Sequence, residues 1–271
     1  MSPDAKPLLM EHMTVEDMRA ALERTRTVLV PLGITEQHGY HLPLSTDTLI
    51  AGHVARETSA RTGAVVAPAL PHSYSGGRLP GTINVAPQVL ALMVQEIVAS
   101  LVEQGFRNVV LVLGHAGSEN LRAIRDLVSM LLARCRHVPG LVVALAPVWE
   151  FSATVTQAFK DHDFHAGYVE TSLMLHWEPG LVRTDRIVQD KPDVAASLRE
   201  HQDNYQKIER LVDDEHVAPC VTQRDEIEVG VMGYPEKATA EAGRKIAEEY
   251  VTGLTALVKK IETGKRGKEK R

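Results

Sequence analysis

Only two cysteines, Cys135 and Cys220, occur in the 271 residues, far apart and with no neighbouring thiol. That scarcity excludes a disulfide framework and a thiolate zinc cluster. No run of about 18 uncharged apolar residues is present, so no membrane-spanning helix is expected. The opening stretch MSPDAKPLLMEHMTVEDM lacks the basic start and unbroken apolar segment of a secretory signal, and the expectation is a cytoplasmic protein. A G-x-S-x-G elbow is also missing, which argues against serine-hydrolase chemistry. Positive charge is not in excess: 30 basic against 35 acidic side chains leave a net −5. A general attraction for nucleic acid or an anionic membrane is therefore not expected. No internal repeat or low-complexity linker interrupts the chain.

Basic residues do gather at one end. In KKIETGKRGKEKR, Lys259 to Arg271, seven positive residues face two glutamates. The stretch has no aromatic residue to stack on a base, and a solvated terminus is the expectation for residues 263–271. Before it, residues 27–262 read as one domain, with residues 1–26 as an N-terminal extension.

A hydrophobic content of 44% suffices for one large core. Strand-like apolar runs alternate with longer segments of helical period, the pattern of parallel strands joined by helical crossovers, and hence of an α/β fold. Strands are predicted at Thr27 to Leu32, Ala64 to Pro68, Asn108 to Leu113 and Leu141 to Ala146. Helices are predicted near Thr48 to Arg61, Pro87 to Gln104, Leu121 to Ala133, Val169 to His176 and Ala238 to Ile261. In the second of these, Pro87 suits a first turn and Gly105 stands just past the end. Two long loops rich in Gly, Pro and His, Gly33 to Ser45 and Pro71 to Val85, have the length at which loops are commonly functional. The polar segment Asp185 to Gly233, with Pro192 and Pro219, has no assignable structure; one reading is an excursion that covers a substrate.

The chemistry concentrates after the first strand. ITEQHGYHLPLSTDT places Glu36, His38, His41 and Asp47 within twelve positions. Carboxylate and imidazole together are the ligand set that zinc and manganese accept. In an extended segment Glu36 and His38 point to the same side. Asp47 precedes a helical pattern, where it either bridges two metals or caps the helix. The third strand is followed by GHAGSEN, so His115 and Glu119 lie at a carboxyl strand end, as do Glu36 and His38. In open parallel sheets ligands bind along that edge, which brings these distant loops together. Glu119 has two readings: a ligand, or a first-turn residue favoured by the helix dipole, with Ser118 as the cap. In FHAGYVETSLML, His165 and Glu170 stand five positions apart. Five residues turn a helix through about 500°, so the two would not share a helix face. His165 is therefore placed in a loop and Glu170 one turn into a helix.

At these residues the chain resembles the creatininase (creatinine amidohydrolase) family, from about Thr27 to Lys259. The E-x-H-G-x-H-L-P-x-x-T-D pattern in PLGITEQHGYHLPLSTDT carries the likeness, with GTINV, Gly114-His115, HAGYVETSLML and GYPEKATAEAGRK in support. The resemblance implies a three-layer α/β fold with a mostly parallel central sheet, homo-oligomers that are often hexamers, and two divalent metal ions per chain, zinc first and manganese or iron next. It implies that Glu36 and His115 hold one metal, that His38 holds the other and that Asp47 bridges. His165 looks like the family histidine that contacts substrate or moves its proton, and Glu170 like the glutamate of the E-T-S triplet. One departure concerns the second metal. Creatinine-cleaving members read H-x-E-N after the ligand histidine; here His115-Ala116-Gly117-Ser118-Glu119-Asn120 is two residues longer, with Leu113 in place of the usual asparagine. The second carboxylate is then Glu119 or Glu170, and the loop Pro71 to Val85 is expected to set the substrate. The implied activity is hydrolysis of a C–N bond in a small cyclic amide. The alternatives are C–C cleavage of a cyclic diketone such as an oxidised inositol (3-dehydro-scyllo-inosose type), and a peptide-maturation or binding role in cofactor biosynthesis.

Overall fold

The structure is a computed structural model and describes residues 6–264. Its centre is a sheet of five parallel strands in the order β1-β3-β2-β4-β5. They are β1 (Leu8–Leu9), β2 (Thr27–Leu32), β3 (Val65–Val66), β4 (Asn108–Leu113) and β5 (Val142–Pro147). β2 and β4 have the bounds read from the sequence, β5 is displaced by one residue, and β3 keeps only two residues of the predicted run. β2 and β4 pair in register from Thr27↔Asn108 to Leu32↔Leu113. Their runs are apolar without interruption because both faces are covered. Val28, Val30, Leu32, Val109, Leu111 and Leu113 enter one core, while Leu29, Val110 and Val112 enter the other.

Helices build the two outer layers. α3 (Pro87–Glu103) and α4 (Ser118–Arg134) cover the first face, together with α1 (Val15–Arg24), which supplies Met18, Ala21 and Leu22. α2 (Thr46–Thr62), α6 (Tyr168–Trp177) and α8 (Ala240–Glu262) cover the second, joined at its edge by α5 (Ala153–Lys160). The architecture is thus the expected three-layer α/β fold. Residues 8–24, read as an extension, supply the edge strand β1 and the helix α1. The excursion holds α7 (Pro192–Glu200) and a separate antiparallel ribbon of β6 (Gln206–Glu209) and β7 (Cys220–Gln223). From residue 265 onward the basic tail lies outside the described residues. Among the described residues no helix is long and apolar enough to cross a membrane.

α6 and α8 cross closely because Gly243 leaves room for the neighbouring backbone: a Cβ there would lie 1.8 Å from the carbonyl oxygen of Ser172. A backbone atom cannot rotate away, so Gly243→Ala is expected to cost about 3 kcal/mol, the upper end of overpacking penalties. Urea unfolding checks this as a lowered midpoint with an unchanged slope.

Chain order decides where a site forms. From β2 the chain steps to β3 on one side, and it then crosses over to β4 on the other side of β2. The carboxyl ends of β2 and β4 therefore flank the switch point, where open α/β sheets leave a crevice.

Candidate metal centre

The loops that follow β2 and β4 meet at that crevice, and the first turn of α2 closes it. Gly114, directly after β4, permits the approach, since a Cβ on it would lie 2.2 Å from the carbonyl oxygen of Asp47. α2 starts at Thr46 with Ser45 as its N-cap residue, and no side chain caps it. Asp47 is free of capping and turns inward: its Oδ1 lies 3.2 Å from His38 Nε2 and its Oδ2 2.9 Å from His115 Nδ1. Glu36 Oε2 stands 3.3 Å from His115 Nδ1, and Glu170 Oε2 stands 3.7 Å from His38 Nε2. Two sets of three donors, Glu36, Asp47, His115 and His38, Asp47, Glu170, are compact enough to hold a metal ion each, and they share Asp47. A third set combines Glu36 and His38 with His165.

The surroundings fit divalent cations on three counts. The set is carboxylate plus imidazole, the chemistry of zinc and manganese sites. Each histidine has its outer ring nitrogen on a backbone carbonyl, His38 Nδ1 at 3.1 Å from Glu36 O and His115 Nε2 at 3.1 Å from Tyr74 O. If these nitrogens donate, the inner nitrogen keeps its lone pair, as metal ligation requires. Finally, Glu36 Oε2 is buried without a hydrogen-bond partner among the described residues, a costly state that a cation relieves.

The electrostatics point the same way. Burial works against charge on His38, but Asp47, Glu170 and Glu36 outweigh it and push its pKa up to about 10. Burial likewise opposes charge on His115, yet Glu36 and Asp47 lift it to about 9. Asp47, in spite of burial, is held well below the usual carboxylate range by His38 and His115. For Glu36 and Glu170 burial prevails over the nearby imidazoles, and both carboxyls are raised. Two buried carboxylates, Glu36 and Asp47, and the partly buried Glu170 thus draw positive charge into the crevice. Protein stripped of metal by a chelator should meet that demand with protons on His38 and His115. Both imidazoles then have folded pKa values above the ordinary 6.5, so their stabilising contribution is complete below that pH and is lost as pH rises through about 9 to 10. The melting temperature of stripped protein is expected to fall over that window, and added zinc should remove the fall, because bound imidazole is neutral. Differential scanning fluorimetry at stepped pH measures both curves.

His165 lies in the loop before α6, as read from the sequence, with its ring 4.4 Å from that of His38. Its Nε2 is 2.9 Å from the carbonyl oxygen of Gln37 and 3.1 Å from the Gln37 amide nitrogen. Burial first, and the charge on His38 second, lower its pKa to about 4. Glu170, in the first turn of α6, also accepts from the Ala166 backbone N–H at 2.6 Å. Among the described residues Glu119 is not drawn into any of the three donor sets, and it receives a 3.3 Å hydrogen bond from Ser118. The expected Ser118 cap does not form, because α4 begins at Ser118 itself with Gly117 in the cap position. His41 is fully buried outside the donor sets, 3.0 Å from Thr171 Oγ1, and ties the loop to α6.

Several residues that position the site gave no signal in the sequence. Asp163 is buried and accepts the backbone N–H groups of Tyr168, Tyr234 and Val169 at 2.7, 2.9 and 3.0 Å, anchoring the start of the helix that carries Glu170. Asn120 holds both polar groups of the Tyr74 backbone, donating to its oxygen at 2.6 Å and accepting from its nitrogen at 3.1 Å. The loop Pro71 to Val85 is thereby pinned beside His115. The unassigned segment Asp185 to Gly233 also reaches the site. Asp190 gathers the N–H groups of Glu228, Val229 and Gly230, Met232 pairs with His165, and the Tyr205 hydroxyl donates to Ser75 O at 2.5 Å. Of these, the sequence marked the loop Pro71 to Val85, by its length and its Gly, Pro and His content, and the segment Asp185 to Gly233, as an excursion that covers a substrate, and it placed Asn120 in the segment after His115; Asp163 and Asp190 carried no signal.

With this geometry in place, residues 11–258 match the sequence profile of the creatininase family, described as creatinine amidohydrolase. The chain belongs to the creatininase family. It is 34% identical over 248 residues to the mycofactocin precursor peptide peptidase of Mycolicibacterium smegmatis, covering 89% of this chain and 87% of that one. It is 30% identical over 206 residues to the creatinine amidohydrolase of Pseudomonas putida, covering 69% and 78%. Solved creatininases in a manganese form and, as a variant, in a Zn-Zn form superpose with TM-scores of 0.75, at 25% and 26% identity and over 94% of this chain and 98% of theirs. Members of the creatininase family are hydrolases, and their structures include zinc and manganese forms.

Proposed function

We propose that this chain is a divalent-metal-dependent amidohydrolase that cleaves an amide C–N bond, and that the amide belongs to a peptide. The observation that carries the reading is the Asp47 carboxylate, which spans His38 and His115 with Glu36 and Glu170 on its flanks. In this reading Glu36, Asp47 and His115 hold one ion, and His38, Asp47 and Glu170 hold the other. The chemistry two divalent ions supply in such a site is Lewis acidity, which makes a nucleophile of water near neutral pH and polarises a carbonyl. Neutral His165, beside His38, would take the proton given up by the water that adds to the carbonyl carbon and pass it to the nitrogen as the C–N bond breaks, leaving a carboxylate and an amine. The segment Asp185 to Gly233 and the loop pinned by Asn120 surround the crevice and limit access of bulk water. A peptide amide is preferred to the small cyclic amide first expected for two reasons. Identity and coverage are higher for the peptide peptidase, and Gly117 stands where creatinine-cleaving members carry a ligand glutamate.

Chelation tests the reading directly. Purified protein should contain about two zinc, manganese or iron ions per chain by plasma mass spectrometry. Dialysis against a chelator should abolish hydrolysis of a peptide-amide library, and zinc or manganese should restore it. At a concentration 100 times the dissociation constant, restored metal should add about 2.7 kcal/mol to stability. Protein that stays metal-free when supplied with zinc and manganese overturns the proposal. Metal-replete protein that cleaves creatinine and no peptide returns the substrate to the cyclic class.

A further inference from the structure

The β6–β7 ribbon is a two-stranded sheet separate from the central one. Side chains on a strand alternate between its faces, so Gln206, Ile208, Val221 and Gln223 share one face of the ribbon. On that face Ile208 stands opposite Val221, and the two are 63% and 40% exposed. Leu211 and Val212, in the turn beyond them, are exposed as well. None of these four apolar residues joins a core cluster among the described residues. A two-stranded ribbon is marginally stable in water, and contiguous apolar surface left in solvent on it marks an interaction site.

The same face leads to the metal centre. At the root of the ribbon Gln223 is buried, and its Oε1 accepts the Arg78 N–H at 2.6 Å. Arg78 belongs to the loop Pro71 to Val85, in which the Tyr74 carbonyl contacts His115 Nε2. Tyr205, just before β6, donates its hydroxyl to Ser75 O in that loop. Val221 stands two residues out from Gln223, about 7 Å along the strand. A chain lying over Ile208 and Val221 is thus aimed at the loop beside His115.

Charge gives that chain its character. Residues 206–226 hold six acidic side chains against three basic ones, and Asp213, Asp214 and Glu215 at the far end are all exposed. Lys207 pairs with Glu209, Arg224 with Glu226, and His216 stands 3.0 Å from Asp214. Asp213 and Glu215 have no cationic partner among the described residues.

On the reading that the substrate is a peptide, we infer that this face of the ribbon is its outer docking surface. It takes an extended segment with apolar side chains against Ile208 and Val221 and basic side chains toward Asp213, Asp214 and Glu215, several residues from the bond that is cleaved. Among the described residues the ribbon supplies no member of the donor sets, so it governs affinity for the peptide and not the bond-breaking step.

Fluorescence anisotropy on the full, zinc-loaded chain tests the contact with labelled, end-blocked peptides, each checked intact by mass spectrometry at the reading. One alternates Val with Lys, which puts every Val on one face; the others alternate Val with Glu and Ser with Lys. Wild type should bind the Val/Lys peptide about tenfold more tightly than the Val/Glu peptide, the scale of a few exposed charge contacts. Asp213→Lys with Asp214→Lys should reverse that order, whereas Glu96→Lys with Glu103→Lys, the same change of charge on α3, should not. Ile208→Ser with Val221→Ser should weaken the Val/Lys peptide about tenfold and leave the Ser/Lys peptide unchanged. Circular dichroism should be the same for all. Equal binding of the Val/Lys and Val/Glu peptides, or binding that ignores the ribbon variants, overturns the inference. Sedimentation that changes with the ribbon variants in the absence of peptide assigns the face to a second copy and overturns it as well. Peptides that are cleaved but bound without regard to the ribbon keep the peptidase and remove the docking face. Ribbon-dependent binding by a chain that cleaves no peptide does the reverse.

Discussion

Asp47→Ala is expected to abolish hydrolysis, by on the order of 10³-fold or more, equivalent to about 4 kcal/mol of transition-state stabilisation. The size follows from position: one carboxylate touches both His38 and His115, so its removal takes a donor from each donor set at once. Metal content should fall for both ions together. The fold should survive, because Asp47 makes no capping bond to α2 and the helix loses none with it. Without the carboxylate His38 loses the first of the charges that hold it protonated and His115 loses one of two, Glu36 remaining beside it, so both imidazoles are held less strongly in the charged form. Plasma mass spectrometry and circular dichroism on the same sample separate loss of metal from loss of structure. An Asp47→Ala protein that is active and metal-replete removes the shared role.

Glu170→Gln and Glu119→Gln form the second test, and their outcomes should diverge. Glu170 lies 3.7 Å from His38 Nε2 within a compact donor set, so its amide variant should lose about half the metal and at least roughly 100-fold in turnover. Gln keeps an oxygen for the Ala166 N–H, so the start of α6 should hold and stability should change little. Glu119 belongs to none of the donor sets, and Glu119→Gln should retain full metal content. The reverse pattern, with half the metal lost only from Glu119→Gln, moves the second carboxylate to α4.

The two carboxylates could not be separated from their sequence surroundings. Each follows a loop histidine and each opens a helix, so local pattern treats them alike. They differ in which way their helices enter the crevice, and that depends on neighbours far along the chain. Asp163, five residues before Tyr168, orients α6 through backbone groups that include Tyr234, which no local window contains. Asp47 raised the same difficulty in another form. A carboxylate in the first turn of a helix is an ordinary cap, and what turns it inward is the bare backbone of Gly114, 67 residues away. The ribbon β6–β7 and the grip of Asp190 on Glu228 to Gly230 were illegible for a related reason: short polar strands and a single aspartate have no periodicity to read.

What the sequence by itself determined was whatever depends on near neighbours. The bounds of β2 and β4 follow from apolar runs buried on both faces, the alternation of strands and helices implies a parallel sheet, and Glu36, His38 and His115 stand at carboxyl strand ends. The tertiary structure alone decided which side chains meet there. Strand order β3-β2-β4 joins two loops about 80 residues apart in the chain at one switch point. Among the described residues, close backbone approach brings Asp47 and Glu170, and not Glu119, within reach of the histidines, because a metal-sized crevice is defined by distances across the fold and not by spacing along the chain.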